Sequence, residues 1–208
     1  MTDIYHITHI RNLPLILAHN GLYASNHMES NGIERVNIAH TNIQSRRAQT
    51  KVPVSPHGNL HDYVPFYFAP RSPMLYAISR GYVEGYTEGQ APILHLVTSA
   101  QRIAQAKVPF VFTDGHAIVA YSHFYNDLAD FKKIDWDIMR VTYWNDTAED
   151  NDRTRRRNAE FLVWQSLLWS LVTEIGVLYQ DTQRSVLHLL EGQPHQPKVV
   201  LRRNWYYL

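Results

Sequence analysis

The chain predicts an α+β fold in one domain spanning residues 1–208, with largely antiparallel sheets and short helices. Three observations carry that expectation. Segments with strand character outnumber helical ones, the helices are short and irregularly spaced, and strands do not alternate regularly with long crossover helices as a doubly wound parallel sheet requires. With 208 residues and 45% hydrophobic content, the chain is long enough to bury one sizeable core. No internal repeat, low-complexity tract or Gly/Ser-rich linker divides it.

Each element has a local reason. "IYHITH" alternates apolar and polar residues, as a half-buried strand does. "NLPLILAHNGL" reads as a short helix capped by Asn12, with Pro14 in its first turn and Gly21 in the left-handed conformation at its end. Residues 23 to about 41 are polar and aperiodic, which predicts a flexible or ligand-ordered loop. "NIQSRRAQ" gives one or two helical turns with Arg47 on the face of Ile43. "DYVPFYF" is strand-like, and Pro65 predicts an edge or a bulge. Ser72 and Pro73 start a helix whose apolar face holds Met74, Leu75 and Ile78. "PILHLVT" and "PFVFTD" are strands flanking a short helix around "SAQRIAQA", and "SHFYNDLADFKKIDW" reads as a helix leading into a loop. After the charged stretch 143–158, "EFLVW" and "EIGVLYQ" are strands and "DTQRSVLHLLEG" is a capped helix. "KVVL" with "NWYY" then completes the sheet.

Composition excludes several chemistries. Without cysteine there is no disulfide framework, thiolate metal site or cysteine nucleophile. The N-terminal "MTDIYHITHI" lacks a basic segment followed by a long apolar run, and no apolar stretch approaches the about 20 residues that span a bilayer, so a cytoplasmic protein without a membrane partner is expected. No Gly-x-Gly-x-x-Gly, P-loop or Gly-x-Ser-x-Gly is present. Of the twelve histidines, His6 and His9 sit three apart on a strand and point to opposite faces. His57 and His61 flank Gly58 and Asn59, which disfavour a helix, so no metal is expected.

The net charge of +1 is uninformative, but local patches are not. Arg46, Arg47 and Lys51 form one; Arg153, Arg155, Arg156 and Arg157 form another, directly after Asp146, Glu149, Asp150 and Asp152. Glu160 follows as a lone acid opening an apolar run, which reads as a carboxylate at a strand's rim. Its removal is then expected to cost no more than about 1 kcal/mol. Arginine, glutamate, histidine and tyrosine in aromatic-rich blocks suit a dinucleotide, whose pyrophosphate needs guanidinium and whose ribose needs a carboxylate. They equally suit a structural polar network.

"YHITHIRNLP", "HDYVPFYFAPRSPMLYAI", "VPFVFTDGHA" and "NAEFLVWQ" occur in that order between Tyr5 and the C-terminal "NWYY". Together they resemble the DarT family of DNA ADP-ribosyltransferase toxins. The resemblance implies an ADP-ribosyltransferase fold with an NAD cleft, no metal, and transfer of ADP-ribose to N3 of thymine in single-stranded DNA. A second branch of the family modifies guanine; the resemblance here is to the thymine branch. It also implies a toxin paired with a macrodomain antitoxin of the DarG type, in a family of which several members act against phage; a monomer is expected. RNA or protein acceptors, or a non-catalytic single-strand-binding module, are the alternatives.

Carried over by position, the resemblance places His6 and Thr8 at the nicotinamide end, with Gly21 and Leu22 where the chain turns beside it. It gives Arg47 as the essential arginine, with Arg46 the alternative one residue away, and Glu160 as the catalytic glutamate. Tyr67 belongs to the cofactor-binding set, and Met74 and His116 to the DNA-binding set. The charged stretch would face substrate, with Arg153, Arg155, Arg156 and Arg157 on DNA phosphates and Tyr143 and Trp144 stacking on a base. The residue types fit the chemistry. An oxocarbenium-like ribose wants a nearby anion, and a guanidinium that is a poor base can still stabilise the N3 anion of thymine.

Overall fold

The computed structural model describes residues 1–208, the side chain of residue 41 excepted. Its first half comprises β1 (Asp3–His9), α1 (Leu13–Ala18), β2 (Gly21–Tyr23), α2 (Ser25–Ser30), α3 (Thr41–Gln49), β3 (Tyr63–Tyr67) and α4 (Pro73–Ser79). Next come β4 (Ile93–Ser99), α5 (Ala100–Gln105), β5 (Phe110–Thr113), β6 (Phe124–Tyr125), α6 (Trp136–Arg140) and α7 (Arg153–Arg157). The chain closes with β7 (Glu160–Trp164), β8 (Ser166–Leu168), β9 (Glu174–Val177), α8 (Gln180–Leu190) and β10 (Lys198–Leu201). An eight-stranded sheet runs β10-β9-β4-β1-β3-β7-β5-β6, antiparallel except for β10 beside β9, and β2 pairs with β8 in a second, two-stranded sheet. The α+β reading holds.

The sheet is nearly two sheets. β1 matches β4 along its whole length, from Asp3 opposite Ser99 to His9 opposite Ile93, and β3 matches β7 along its whole length. Between β1 and β3 there is one register position, Tyr5 opposite Tyr67. Pro65 sits at this parting, in the middle of the sheet and not at the edge or bulge expected of it. His6 Nδ1 donates to the Pro65 carbonyl at 2.8 Å, so that carbonyl faces β1. A strand residue directs its nitrogen the same way as its oxygen, so the missing N–H also faces β1, where the ladder has already opened. A proline that would break a continuous ladder is harmless at a split.

Packing holds the two halves in place. Phe66, Phe112 and Phe161 are fully buried with Ile4, Leu94 and Leu96 in the main core. Phe68 meets Phe112, Phe131, Phe161 and Trp136 edge-on, a geometry that adds about 0.5–1.5 kcal/mol per pair beyond area burial.

Several local expectations are overturned by longer-range partners. Asn12 does not cap α1 with its side chain; it donates to Thr8 Oγ1 and the Val36 carbonyl and accepts from the Val36 N–H. The left-handed residue after α1 is Asn20 (φ 52°), and Gly21 instead begins β2. The stretch after Tyr23 contains α2, so the part without regular structure is Ala24 and residues 31–40. "SHFYNDLADFKKIDW" holds β6, a 3-10 segment (Leu128–Lys133) and the start of α6, whose first turn is capped by Asp135. Asp181 lies inside the first turn of α8 and not at its cap, and "NWYY" forms a 3-10 turn that buries Tyr206 in place of a strand. In contrast, Ser72 caps α4 as read, accepting from the Leu75 N–H at 3.2 Å.

Gly21 is required by space. A Cβ there would overlap the Leu167 carbonyl of the paired strand β8. Gly21→Ala should therefore lower stability by about 1–3 kcal/mol, measurable as a fall in urea midpoint.

Two buried rings make the fold acid-sensitive. Burial holds His6 down to about 4 despite its bond to Pro65, and likewise holds His95 down to about 4 despite its bond to the Pro70 carbonyl. The unfolded chain binds protons at the ordinary value of 6.5. The stability contributed by keeping both rings neutral is thus complete above about pH 6.5 and is lost as pH falls toward about 4. Denaturant unfolding between these limits should show a slope corresponding to at least two protons taken up on unfolding. His95→Gln should reduce that slope by one proton, and an unchanged slope would refute the assignment.

Candidate active site

β7 opens directly on Glu160, and its register sets Glu160 opposite Tyr67, so both side chains stand on one face at the joint of the sheet. Glu160 is only 3% exposed, which corrects the reading of it as a rim carboxylate. Its backbone N–H donates to Thr113 Oγ1 at 3.1 Å on the adjacent strand β5. Its Oε2 accepts from Arg47 Nη1 at 2.7 Å, and its Oε1 accepts from the Ala117 N–H at 3.2 Å, with His116 Nδ1 3.5 Å away. Burial pushes the Glu160 carboxyl up, but Arg47 and His116 together outweigh it and bring it down to about 2. The carboxylate is therefore a fixed anion at neutral pH and a poor proton acceptor.

Arg47 comes from α3 and is 7% exposed. Gln44, one turn earlier, ties that helix to the 3-10 turn after Asn59 through Oε1 to His61 Nε2 at 3.1 Å. One arm of the guanidinium holds Glu160, and the other, the buried Nη2, has no hydrogen-bond partner among the described residues. Of the two neighbouring arginines, Arg47 reaches the carboxylate; Arg46 is exposed and extends toward the Ile118 carbonyl.

A cleft of about 320 Å³ lies over the parting of β1 and β3. It is lined by His6, Thr8, Arg47, Tyr67, Met74, His116 and Glu160, seven of the residues singled out from the sequence. A side pocket of about 40 Å³ shares His6 and Thr8 and adds Gly21 and Leu22. Because His6 Nδ1 donates to Pro65, its Nε2 is left as an acceptor. Arg35, Asn12 and Gln44 also line the cleft and were missed. Asn12 was read as a helix cap, and Arg35 lies in the aperiodic stretch where no pattern marks it; it donates to Ser25 Oγ at 2.8 Å.

The charged stretch departs from expectation. Arg155 is bound by Asp152 and Asp114, and Arg156 by Asp135, Asp150 and Asp152, so their charges are spent within the protein. Arg153 donates to the carbonyls of Tyr143 and Asn145. Trp144 is buried against Tyr76 and donates to the Tyr207 hydroxyl, which removes it as an exposed stacking ring, whereas Tyr143 is 84% exposed. None of these five lines the cleft.

Arg155 instead braces the loop behind Glu160. Its carbonyl accepts from the His116 N–H at 2.9 Å, and its side chain holds Ser122, whose hydroxyl donates to the His116 carbonyl. Packing is so close that a Cβ on Gly115 would overlap the Arg155 guanidinium. Among the described residues, no group of three or more His, Asp or Glu is arranged to hold a metal ion.

Similarity to known proteins agrees with this geometry. Residues 5–207 match the family described as "ssDNA thymidine ADP-ribosyltransferase, DarT". A DNA ADP-ribosyl transferase of Thermus sp. (strain 2.9) is 47% identical over 208 residues, 99% of this chain and 96% of the relative. The structure of Thermus sp. 2.9 DarT in complex with ADP-ribosylated ssDNA superposes with a TM-score of 0.92 at 44% identity, covering 99% of this chain and 96% of that one. Its complex with NAD+ gives 0.87 at 43% identity, over 99% and 98%. A fusion of a DNA ADP-ribosyl transferase with a DNA ADP-ribosyl glycohydrolase from Thermosipho africanus is 25% identical over 165 residues, 78% of this chain and 39% of the fusion. With the match spanning nearly all of its length, the chain belongs to the DarT family.

Proposed function

We propose that this chain is one catalytic domain, residues 1–208, that transfers ADP-ribose from NAD to N3 of thymine in single-stranded DNA and releases nicotinamide. The observation that carries the reading is the buried Arg47–Glu160 pair at the floor of the cleft, with one guanidinium nitrogen unpartnered. Family membership and the relatives' complexes with NAD+ and ADP-ribosylated ssDNA support it.

In this reading the bond between nicotinamide and C1′ of the ribose breaks, nicotinamide leaves with the bonding electrons, and N3 of thymine attacks C1′. Glu160, permanently ionised, accepts a hydrogen bond from a ribose hydroxyl and stabilises the cationic sugar. Because its carboxyl is held near 2, it is not the base that removes the N3 proton, which passes to water. Arg47 keeps the carboxylate in place through Nη1 and offers Nη2 to the anion developing on N3 or to a cofactor phosphate. His6 and Thr8 hold the nicotinamide end, where the acceptor Nε2 suits a carboxamide N–H, with Gly21 and Leu22 shaping the adjoining pocket. Tyr67 faces the ribose from the strand opposite Glu160, and Met74 and His116 flank the incoming base. The protein works as a monomeric cytoplasmic toxin neutralised by a macrodomain antitoxin, a pairing supported by the transferase–glycohydrolase fusion. Among the described residues, no helix is long and apolar enough to cross a membrane.

Purified protein given NAD and a pool of single-stranded oligonucleotides should yield DNA heavier by one ADP-ribose, located on thymine by mass spectrometry after nuclease digestion. No adduct, or adduct only on guanine, RNA or protein, would overturn the reading. Glu160→Gln should reduce the rate by at least about 100-fold while remaining folded. Glu160→Ala should in addition destabilise the protein by about 3–5 kcal/mol, since it strands the buried Arg47 charge.

A further inference from the structure

Among the described residues, three guanidinium groups around α4 have no counter-ion. Arg157 is only 4% exposed, yet its guanidinium donates to two carbonyls alone, those of Ile138 at 2.7 Å and Arg71 at 2.9 Å, and its Nε is unpartnered. Arg71, whose own Nε is buried and unpartnered, lies over the Tyr207 ring at 4.5 Å. Arg80 lies over the Tyr76 ring at 5.2 Å, and the two rings meet edge-on with centroids 5.1 Å apart. Among the described residues, no carboxylate forms an ion pair with any of the three. Acids are not scarce nearby in sequence: Asp150 and Asp152 are committed to Arg155 and Arg156, the residues immediately before Arg157. Burying one guanidinium and leaving two more beside it uncompensated costs stability, and an external anion offsets that cost.

The place of this charge identifies the anion. Pro73, Met74 and Ala77 form the α4 wall of the cleft, and Asn158, next to Arg157, lines the cleft from the other side. Arg71 immediately precedes Ser72, the residue that caps this helix. Arg80 follows Pro73 by seven residues and Ala77 by three, so it continues the same stripe of the helix. The helix between them, Pro73–Ser79, rises roughly 10 Å along its axis. Just beyond, Tyr82 is 65% exposed, and its backbone N–H is fixed to the Ala77 carbonyl at 2.9 Å. Unpaired cations at both ends of a helix that walls the reactive cleft, followed by an exposed ring, match the phosphates and bases of a single strand.

We propose that the stripe from Arg71 through Arg80 to Tyr82, backed by the buried charge of Arg157, carries the DNA strand as it leaves the cleft. This rests on the reading of the cleft as DNA-modifying, and it moves the strand's contacts from the Asp-bound Arg155 and Arg156 to the arginines around α4, which pack against the same stretch through Trp144 and Arg157. Arg71 and Arg80 contact phosphate, and Tyr82 stacks on a base.

Fluorescence anisotropy with a labelled thymine-containing single-stranded oligonucleotide, titrated with the full chain over a range of salt, tests the stripe. Arg80→Gln, at an exposed position that leaves the fold intact, should weaken binding and flatten the plot of log affinity against log salt by about 0.7. Arg71→Gln should do the same, and Tyr82→Ser should weaken binding at least about fivefold without changing the slope. NAD affinity should be unchanged in all three, and Arg184→Gln, on α8 and paired with Asp181, should bind as wild type. Wild-type protein that modifies DNA while Arg80→Gln and Arg71→Gln bind with unaltered affinity and slope would overturn the stripe alone. Wild-type protein that neither binds nor modifies single-stranded DNA would overturn both this and the reading of the cleft.

Discussion

The structure turns on one buried ion pair, Arg47 with Glu160, placed where the central sheet comes apart. Two charges taken out of water cost several kcal/mol each unless every remaining lone pair and proton is met. Glu160 meets that demand on the protein side: Arg47 on one oxygen, the Ala117 N–H and the neighbouring His116 ring on the other, and Thr113 on its backbone. Arg47 does not: among the described residues its buried Nη2 has no partner. The split between β1 and β3 supplies the space, since strands laddered along their length would leave no cleft above His6 and Pro65.

Arginine is used in two contrasting ways around this centre. Arg155 and Arg156 are enclosed by carboxylates, and their role is rigidity: through His116, Ser122 and Gly115, Arg155 fixes the loop that presents an N–H to Glu160. Arg71, Arg80 and Arg157 are surrounded by rings and carbonyls and keep their charge unneutralised. A basic run in sequence is therefore not a basic surface. What decides is which acids the fold brings to it.

Much of this was legible from residues alone, and the reason is local. The alternation of "IYHITH", the cap at Ser72 and the apolar run after Glu160 each determine structure within a few residues, and β1, α4 and β7 form there. The motif blocks likewise pointed to the cleft lining, Arg47 and Glu160 among it. What escaped depends on distant partners. Asn12 abandons its cap because Thr8 and Val36 compete for its amide. Pro65 is tolerated mid-sheet because β1 diverges there, and Gly21 is set by the approach of Leu167. The burial of Trp144 under Tyr76 and Tyr207, and the pairing of Arg155 with Asp114, join segments far apart in the chain, which no local pattern reveals.

The central claim is that Arg47 keeps Glu160 ionised well below the ordinary glutamate range, which in the proposed reaction lets the carboxylate act by charge and not by proton transfer. Carbon-13 NMR of the Glu160 side-chain carboxyl, followed from neutral pH down to about 4, measures this directly. The account predicts a flat chemical shift across that range, consistent with a carboxyl held near 2. A titration midpoint at or above the ordinary glutamate value of 4.5 would contradict it.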